Sequence, residues 1–202
     1  MDGDPDWLKP RGQGWRVERR TEVHDNPWFA LEDCDAIAPT GRPARYYLQK
    51  YKNVAVGVLP LHEDGTVTLV GQWRFPFDAY SWELPEGGAP HGEDPLDGAR
   101  RELREEAGLQ AADWREIIFM QLSNSSSDEV AVGFLATDLA SVEREPDETE
   151  DIAVARVPFT EALQAAVSGR IQDAITVAML LRVHHMAHVG ELRPDLARLV
   201  LG

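Results

Sequence analysis

Between Trp15 and Tyr51, short alternating runs are broken by turn formers. Trp15 to Val23 reads as a strand, His24 to Pro27 as a turn, and Trp28 to Ala38 as a second strand. Pro39-Thr-Gly-Arg-Pro43 is a turn signal, and Arg45 to Tyr51 returns as a third strand. These runs carry little apolar content, so the predicted sheet needs a neighbour, either the main domain or a second chain. Ahead of them, residues 1–14 are rich in Asp, Gly and Pro and are expected to be loosely structured.

From Asn53 the pattern becomes more apolar. Asn53 to Leu61 and Thr66 to Trp73 are two strand-like runs separated by His62-Glu-Asp-Gly65, a hairpin turn signal. Tyr80 to Leu84 is another short strand. After an intervening helix, Trp114 to Leu122 and Val130 to Leu139 read as strands around the polar loop Ser123 to Glu129. Glu143 to Glu150 is an acidic turn, and Ile152 to Val157 a last strand. Thr160 to Ser168, Asp173 to His188 and Pro194 to Leu201 read as helices. Strands, one helix, strands and then helices predict an α/β fold, a mixed sheet with helices on its faces.

The helix between those strands carries the chemistry. Asp94 serves as its N-cap, Pro95 takes the first helical position, and Gly108 suits the left-handed residue that ends it. Leu96, Ala99, Leu103 and Ala107 recur at three- and four-residue steps and form its buried stripe. Glu102, Glu105 and Glu106 then share a neighbouring face. Three clustered carboxylates repel one another unless something positive sits among them. Arg101 helps, but a hard divalent cation answers the need better. The preceding segment, Gly87 to Gly92, reads as a loop whose glycines let the backbone approach a ligand closely.

Gly87, Glu93, Arg101, Glu102, Leu103, Glu105, Glu106, Gly108 and Leu109 fill every specified position of one motif. The stretch resembles the signature of the Nudix hydrolases, G-x5-E-x7-R-E-U-x-E-E-x-G-U, where U is a bulky aliphatic residue. Gly71-Gln-Trp-Arg-Phe-Pro76 and Ser81-Trp-Glu-Leu-Pro-Glu-Gly87 are similar to the ADP-ribose and nucleoside-diphosphate-sugar branch. The resemblance implies an α/β/α sandwich over residues 53–190. It also implies an N-terminal β subdomain over 15–52 that builds a homodimer. Residues 191–202 form a tail or short helix.

The implied reaction is Mg²⁺-dependent hydrolysis, with Mn²⁺ as an alternative ion. It cleaves the pyrophosphate bond of ADP-ribose or a nucleoside-diphosphate hexose, giving a nucleoside monophosphate and a sugar phosphate. Proline is common in the loop after the signature among ADP-ribose members. Ser123 to Ser127 has none, which leaves room for a GDP- or UDP-hexose. Dinucleoside polyphosphates or nucleoside triphosphates are the alternative substrates, and a non-hydrolytic nucleotide-sugar sensor is the alternative class.

Glu102 and Glu106 are the expected metal ligands, with Glu105 as a third or shared one. By resemblance the backbone carbonyl of Glu86 completes the set, and Arg101 orients the carboxylates through Glu105 or Glu93. Glu129 is the expected base, a helix carboxylate being the alternative. Arg74 reaches a substrate phosphate or forms an ordinary ion pair. Glu83 accepts from a ribose or amine, or is a surface strand residue. Trp28 or Phe29 stacks on the base, or packs in the core.

Composition narrows the classes. Apolar content of 43% and charge of 27% fit a soluble globular protein. The net charge of −15 disfavours nucleic-acid and membrane-surface roles, though a local cation can still draw a small anion. The single cysteine, Cys34, and the polar N-terminus without an apolar leader suit the cytoplasm. His184 and His188 lie one helical turn apart, but no third ligand accompanies them. Their place near a helix C-terminus is explained by the dipole.

Overall fold

The computed structural model describes residues 5–145 and 151–202. It divides the chain into two units: Met1–Lys52 with Ser123–Asp128, and Asn53–Leu122 with Glu129–Gly202.

In the first unit, β1 (Arg16–Asp25), β2 (Phe29–Ile37) and β3 (Pro43–Tyr51) form an antiparallel meander in that order. Asn26 makes the first turn, its Oδ1 accepting from the backbone nitrogens of Trp28 and Phe29 at 2.9 Å each. The alternating polar positions become cross-strand ion pairs, Arg19 with Asp35 and Arg20 with Glu32. These are open to solvent and contribute little stability. β2 supplies the buried residues Ala30, Cys34 and Ala36, whereas all ten residues of β1 are exposed. The Ser123–Asp128 loop is pinned to β3. Gln49 N donates to Ser126 O at 2.9 Å, and Tyr51 N donates to Asp128 Oδ1 at 2.8 Å. Residues 5–14 hold only a 3₁₀ turn at Asp6–Leu8 and are exposed throughout.

The second unit is built on a four-stranded mixed sheet, ordered β7 (Glu86–Pro90), β4 (Asn53–Pro60), β9 (Val130–Ser141) and β8 (Leu109–Gln121). β4 and β9 run parallel and the other pairs antiparallel. Side chains alternate across this sheet as the pleat requires. Val56, Val58, Val132, Phe134 and Ala136 face α1 (Pro95–Ala107) and meet its Ala99 and Leu103. Leu59, Leu61, Ala131 and Leu135 face the other way, toward α2 (Phe159–Val167), α3 (Ala174–His188) and α4 (Pro194–Leu201). Full burial stabilises each such Leu or Val by about 1.5–3 kcal/mol. Two glycines let α3 lie close. A Cβ on Gly57 would come 2.5 Å from Ile175, and one on Gly133 would come 2.8 Å from Met179 Sδ. A second, antiparallel sheet is ordered β10 (Ala153–Pro158), β5 (Thr66–Arg74) and β6 (Ala79–Glu83). Helices on both faces of the mixed sheet give the α/β/α layering.

Three details depart from the sequence reading. Gly87 to Gly92 was expected as a loop, but Glu86–Pro90 is a strand paired with β4 from Gly57↔Glu86 to Asn53↔Pro90. Its glycines are there for close approach, since a Cβ on Gly88 would meet Asn53 at 2.8 Å. The turn at His62 to Gly65 does form, with His62 N donating to Thr66 O at 2.9 Å and Gly65 at φ 79°. Its two strands nevertheless part after the Leu61↔Val67 bridge and enter different sheets. β8 begins at Leu109, not Trp114, because the left-handed Gly108 turns the chain from α1 directly into pairing with Ser141. Of the acidic run Glu143 to Glu150, residues 146–150 lie outside the described residues. No helix of the described residues is long and apolar enough to cross a membrane.

Candidate active site

The β7 strand and α1 form one face of the site. Asp94 caps α1 by accepting from Leu96 N at 3.0 Å, and Gly108 ends it at φ 64°. The cap and the buried stripe fix the helix so that its glutamates meet β7. Glu106 is only 3% exposed, and its Oε2 accepts from Glu86 N at 2.9 Å. Glu102 lies against Gly87: a Cβ there would fall 2.2 Å from the Glu102 carboxyl carbon. Glycine at this position therefore admits the carboxylate against bare backbone. Glu106 is the more buried of these two carboxylates. It is buried because the same helical turn that carries Leu103 inward brings it under the β7 backbone.

Arg101 ties the helix to the strand. It donates through Nη1 to Glu102 Oε1 at 2.7 Å and through Nη2 to Gly88 O at 2.8 Å. Glu105 Oε2 lies 3.5 Å away and Glu93 Oε2 3.8 Å. Glu105 or Glu93 was the expected partner, yet the shortest pair is with Glu102, one residue along. Glu105 is the more open of the three helix carboxylates.

A second acidic group lies on the other side of Glu86. Arg74 Nε donates to both Glu83 oxygens at 3.0 Å, and its Nη2 pairs with Glu83 and reaches Glu86 Oε1 at 2.6 Å. In this structure Arg74 thus forms an ion pair. Glu83 is 3% exposed, not a surface strand residue, because β6 turns it inward beside Val70. Asp173 caps α3, with Oδ2 accepting from Thr176 N at 2.7 Å, while Thr176 Oγ1 accepts from Leu84 N at 2.8 Å. That bond fastens the start of α3 to the end of β6. Carboxylate oxygens of Glu83, Glu86 and Asp173 come within 4.8 Å of one another. Burial pushes the Glu86 carboxyl well above its ordinary range, and the Asp173 and Glu83 charges push the same way. Its Oε2 is buried and has no hydrogen-bond partner.

A cavity of about 530 Å³ opens beside this group, lined by Arg74, Tyr80, Glu83, Glu86, Arg170 and Asp173 among others. Glu129 stands immediately before β9, half-buried, and burial raises its carboxyl above the usual range. Trp28 belongs to the first unit and is 66% exposed, so it is not a core residue. Neither residue is among those drawn together by the bonds above. The Glu86 side chain and Asp173 had not been anticipated at the site. Asp173 begins the helix that the sequence predicts over Asp173 to His188, but nothing in the spacing brings it to Glu86. His184 and His188 stack edge to face, 4.6 Å between ring centres, on α3.

Carboxylates and a backbone strand rich in glycine make an oxygen-only donor set. That set suits a hard divalent cation, and the orphaned Glu86 Oε2 fits the same need.

A model of the NUDIX domain matches residues 51–176. An ADP-ribose pyrophosphatase of Mycobacterium tuberculosis is 35% identical over 166 residues, covering 80% of this chain and 79% of that protein. An ADP-ribose pyrophosphatase of Bacillus subtilis is 34% identical over 144 residues, covering 70% and 77%. A crystal structure described as an ADP compounds hydrolase superposes with a TM-score of 0.79 at 22% identity, covering 91% of this chain and all of that one. At that identity the likeness speaks for the fold.

Proposed function

The chain belongs to the NUDIX family, and from that premise we propose that it hydrolyses the pyrophosphate bond of a nucleoside diphosphate sugar. ADP-ribose or a nucleoside-diphosphate hexose is the substrate, and a nucleoside monophosphate and a sugar phosphate are the products. The observation that carries the reading is the meeting of Glu102 and Glu106 with the β7 backbone at Gly87 and Glu86. The relatives named as ADP-ribose pyrophosphatases support the substrate class.

Glu102 and Glu106, the carbonyl of Glu86, and Glu105 as a third or shared ligand are the residues that would hold Mg²⁺, with Mn²⁺ as an alternative. When bound, the ion neutralises phosphate oxygens and lowers the pKa of water. Arg101 holds the Glu102 carboxylate in place and anchors α1 to Gly88, so the ligand oxygens are positioned before substrate arrives. Water attacks one phosphorus, the bond from that phosphorus to the bridging oxygen breaks, and Glu129 accepts the water's proton. The cavity beside Arg74 and Arg170 receives the substrate, and Glu83, while still paired with Arg74, accepts from its hydroxyls. Trp28 stacks on the base, and residues 15–52 pair two chains in a cytoplasmic homodimer. The full exposure of β1, with Val17 and Val23 open to solvent, and of Trp15 just before it supports that pairing.

The pH–rate profile of ADP-ribose hydrolysis tests this reading in the wild type and in Glu129→Gln. A base works only when deprotonated, and burial raises the Glu129 carboxyl. The rate should therefore fall with decreasing pH from above the ordinary carboxylate range. Glu129→Gln should lower kcat by about 10²–10⁴-fold, with little change in KM, and remove that acid limb. If only affinity changes, or the limb persists, the base lies elsewhere. A wild type that hydrolyses no nucleotide sugar overturns the function.

A further inference from the structure

We propose that Glu83, Glu86 and Asp173 form a second cation site, separate from the α1 carboxylates, that takes a hard divalent ion. Three observations point to it. Their oxygens lie within 4.8 Å of one another. Around one oxygen-coordinated ion with bonds of about 2.0–2.6 Å, ligand oxygens lie about 3–5 Å apart, so one ion can bridge all three. Independently, Glu86 Oε2 is buried and without a hydrogen-bond partner. A buried carboxylate oxygen left in that state is costly, and a bound cation removes the cost. The remaining bonds leave an oxygen open on two of the three groups, while both Glu83 oxygens accept from Arg74 and one of them would be shared with the ion. Arg74 occupies Glu86 Oε1 and leaves Oε2, while Thr176 N occupies Asp173 Oδ2 and leaves Oδ1.

Arg74 alone does not satisfy the group. One guanidinium faces three carboxylates, and Arg74 spends three of its four bonds here on Glu83. The cavity wall also shows what an ion would change. Three carboxyl groups, Glu83, Glu86 and Asp173, line it with two guanidinium groups, Arg74 and Arg170. A divalent ion adds positive charge to that wall. A pocket that must admit an anionic diphosphate gains attraction from it. That use of the ion rests on the proposed hydrolase reading; the binding itself does not.

The site is separable from α1 because its ligands come from β6, the β7 start and the α3 cap. Glu86 touches both groups through different atoms: its backbone nitrogen meets Glu106, and its side chain meets Glu83, Arg74 and Asp173.

Mn²⁺ binding by the full chain, followed by the loss of the free-ion electron paramagnetic resonance signal, tests the proposal without substrate or turnover. In the Glu102→Gln/Glu106→Gln background, one Mn²⁺ should still bind. Adding Glu86→Gln to that background should abolish it. Asp173→Asn, made in the wild type, should weaken one Mn²⁺ by about 10–100-fold. Asparagine caps a helix as well as aspartate, so this variant keeps the start of α3 intact. Circular dichroism confirms the fold of each variant. The proposal is overturned if the double variant binds no Mn²⁺, if Glu86→Gln leaves its binding unchanged, or if Asp173→Asn binds Mn²⁺ as the wild type does. Hydrolysis by the wild type, measured separately, keeps a failure here distinct from a failure of the hydrolase reading.

Discussion

Glu106→Gln is expected to lower kcat by about 10³-fold while the protein stays folded. The side chain has two tasks. Its Oε2 accepts from Glu86 N and so holds the start of β7 against α1. Its charge, in a position only 3% exposed, is available to a cation. Glutamine keeps the size of the side chain and an oxygen that can accept the same bond, so the first task survives. The charge does not survive, and a neutral amide is a much poorer ligand for a hard ion. Loss of activity should therefore come with an unchanged circular dichroism spectrum and a weakened dependence on Mg²⁺. Full activity in this variant would remove Glu106 from the metal site. Unfolding would show that the charge itself holds β7 in place.

Gly87→Ala is expected to separate activity from stability in the same way, by a different route. The position lacks a positive φ, so alanine fits the backbone. The added Cβ would fall 2.2 Å from the Glu102 carboxyl carbon and 2.3 and 2.6 Å from its oxygens. A carboxylate at the end of a flexible side chain can swing away cheaply, so stability should change by less than about 1 kcal/mol. The swing breaks the register between Glu102 and Glu106. It also pulls against Arg101, which holds Glu102 Oε1 at 2.7 Å. A displacement of about 1 Å at a catalytic constellation costs about 10²-fold in rate. Denaturant unfolding and kcat on the same preparation check both halves. Wild-type activity would mean that the Glu102 position does not matter to the chemistry. A large loss of stability would mean that the close packing at Gly87 serves the fold instead.

The helix and its carboxylates were legible because local rules place them. Asp94, Pro95 and Gly108 fix the ends of α1, and the 3.6-residue period fixes which side faces inward. The strands of both units were legible for the same reason, being short alternating runs between turn formers. What the sequence hid is non-local. Glycine and proline in Glu86–Pro90 look like a loop until β4 lies alongside and α1 presses Glu102 onto Gly87. The turn at His62 to Gly65 says nothing about whether its strands stay together, and here they join different sheets. Glu83 reads as a polar strand residue until Arg74, nine positions earlier, is found against it. Asp173 meets Glu86 only because Thr176 fastens α3 to Leu84. Motif spacing reports one side of the site, the side built within a single helix and the strand before it. The other side depends on three elements that meet only in the folded chain.

The measurement that bears most directly on the central claim is turnover across a nucleotide panel with Mg²⁺, with a phosphatase converting released monoesters to detectable phosphate. The panel holds ADP-ribose, ADP-glucose, GDP-mannose, UDP-glucose, a dinucleoside polyphosphate and the common nucleoside triphosphates. Phosphate should appear with the diphosphate sugars and not with the triphosphates or the dinucleoside. Turnover confined to the triphosphates or the dinucleoside would contradict the substrate class, and tight binding of ADP-ribose with no monoester released would contradict the enzyme itself.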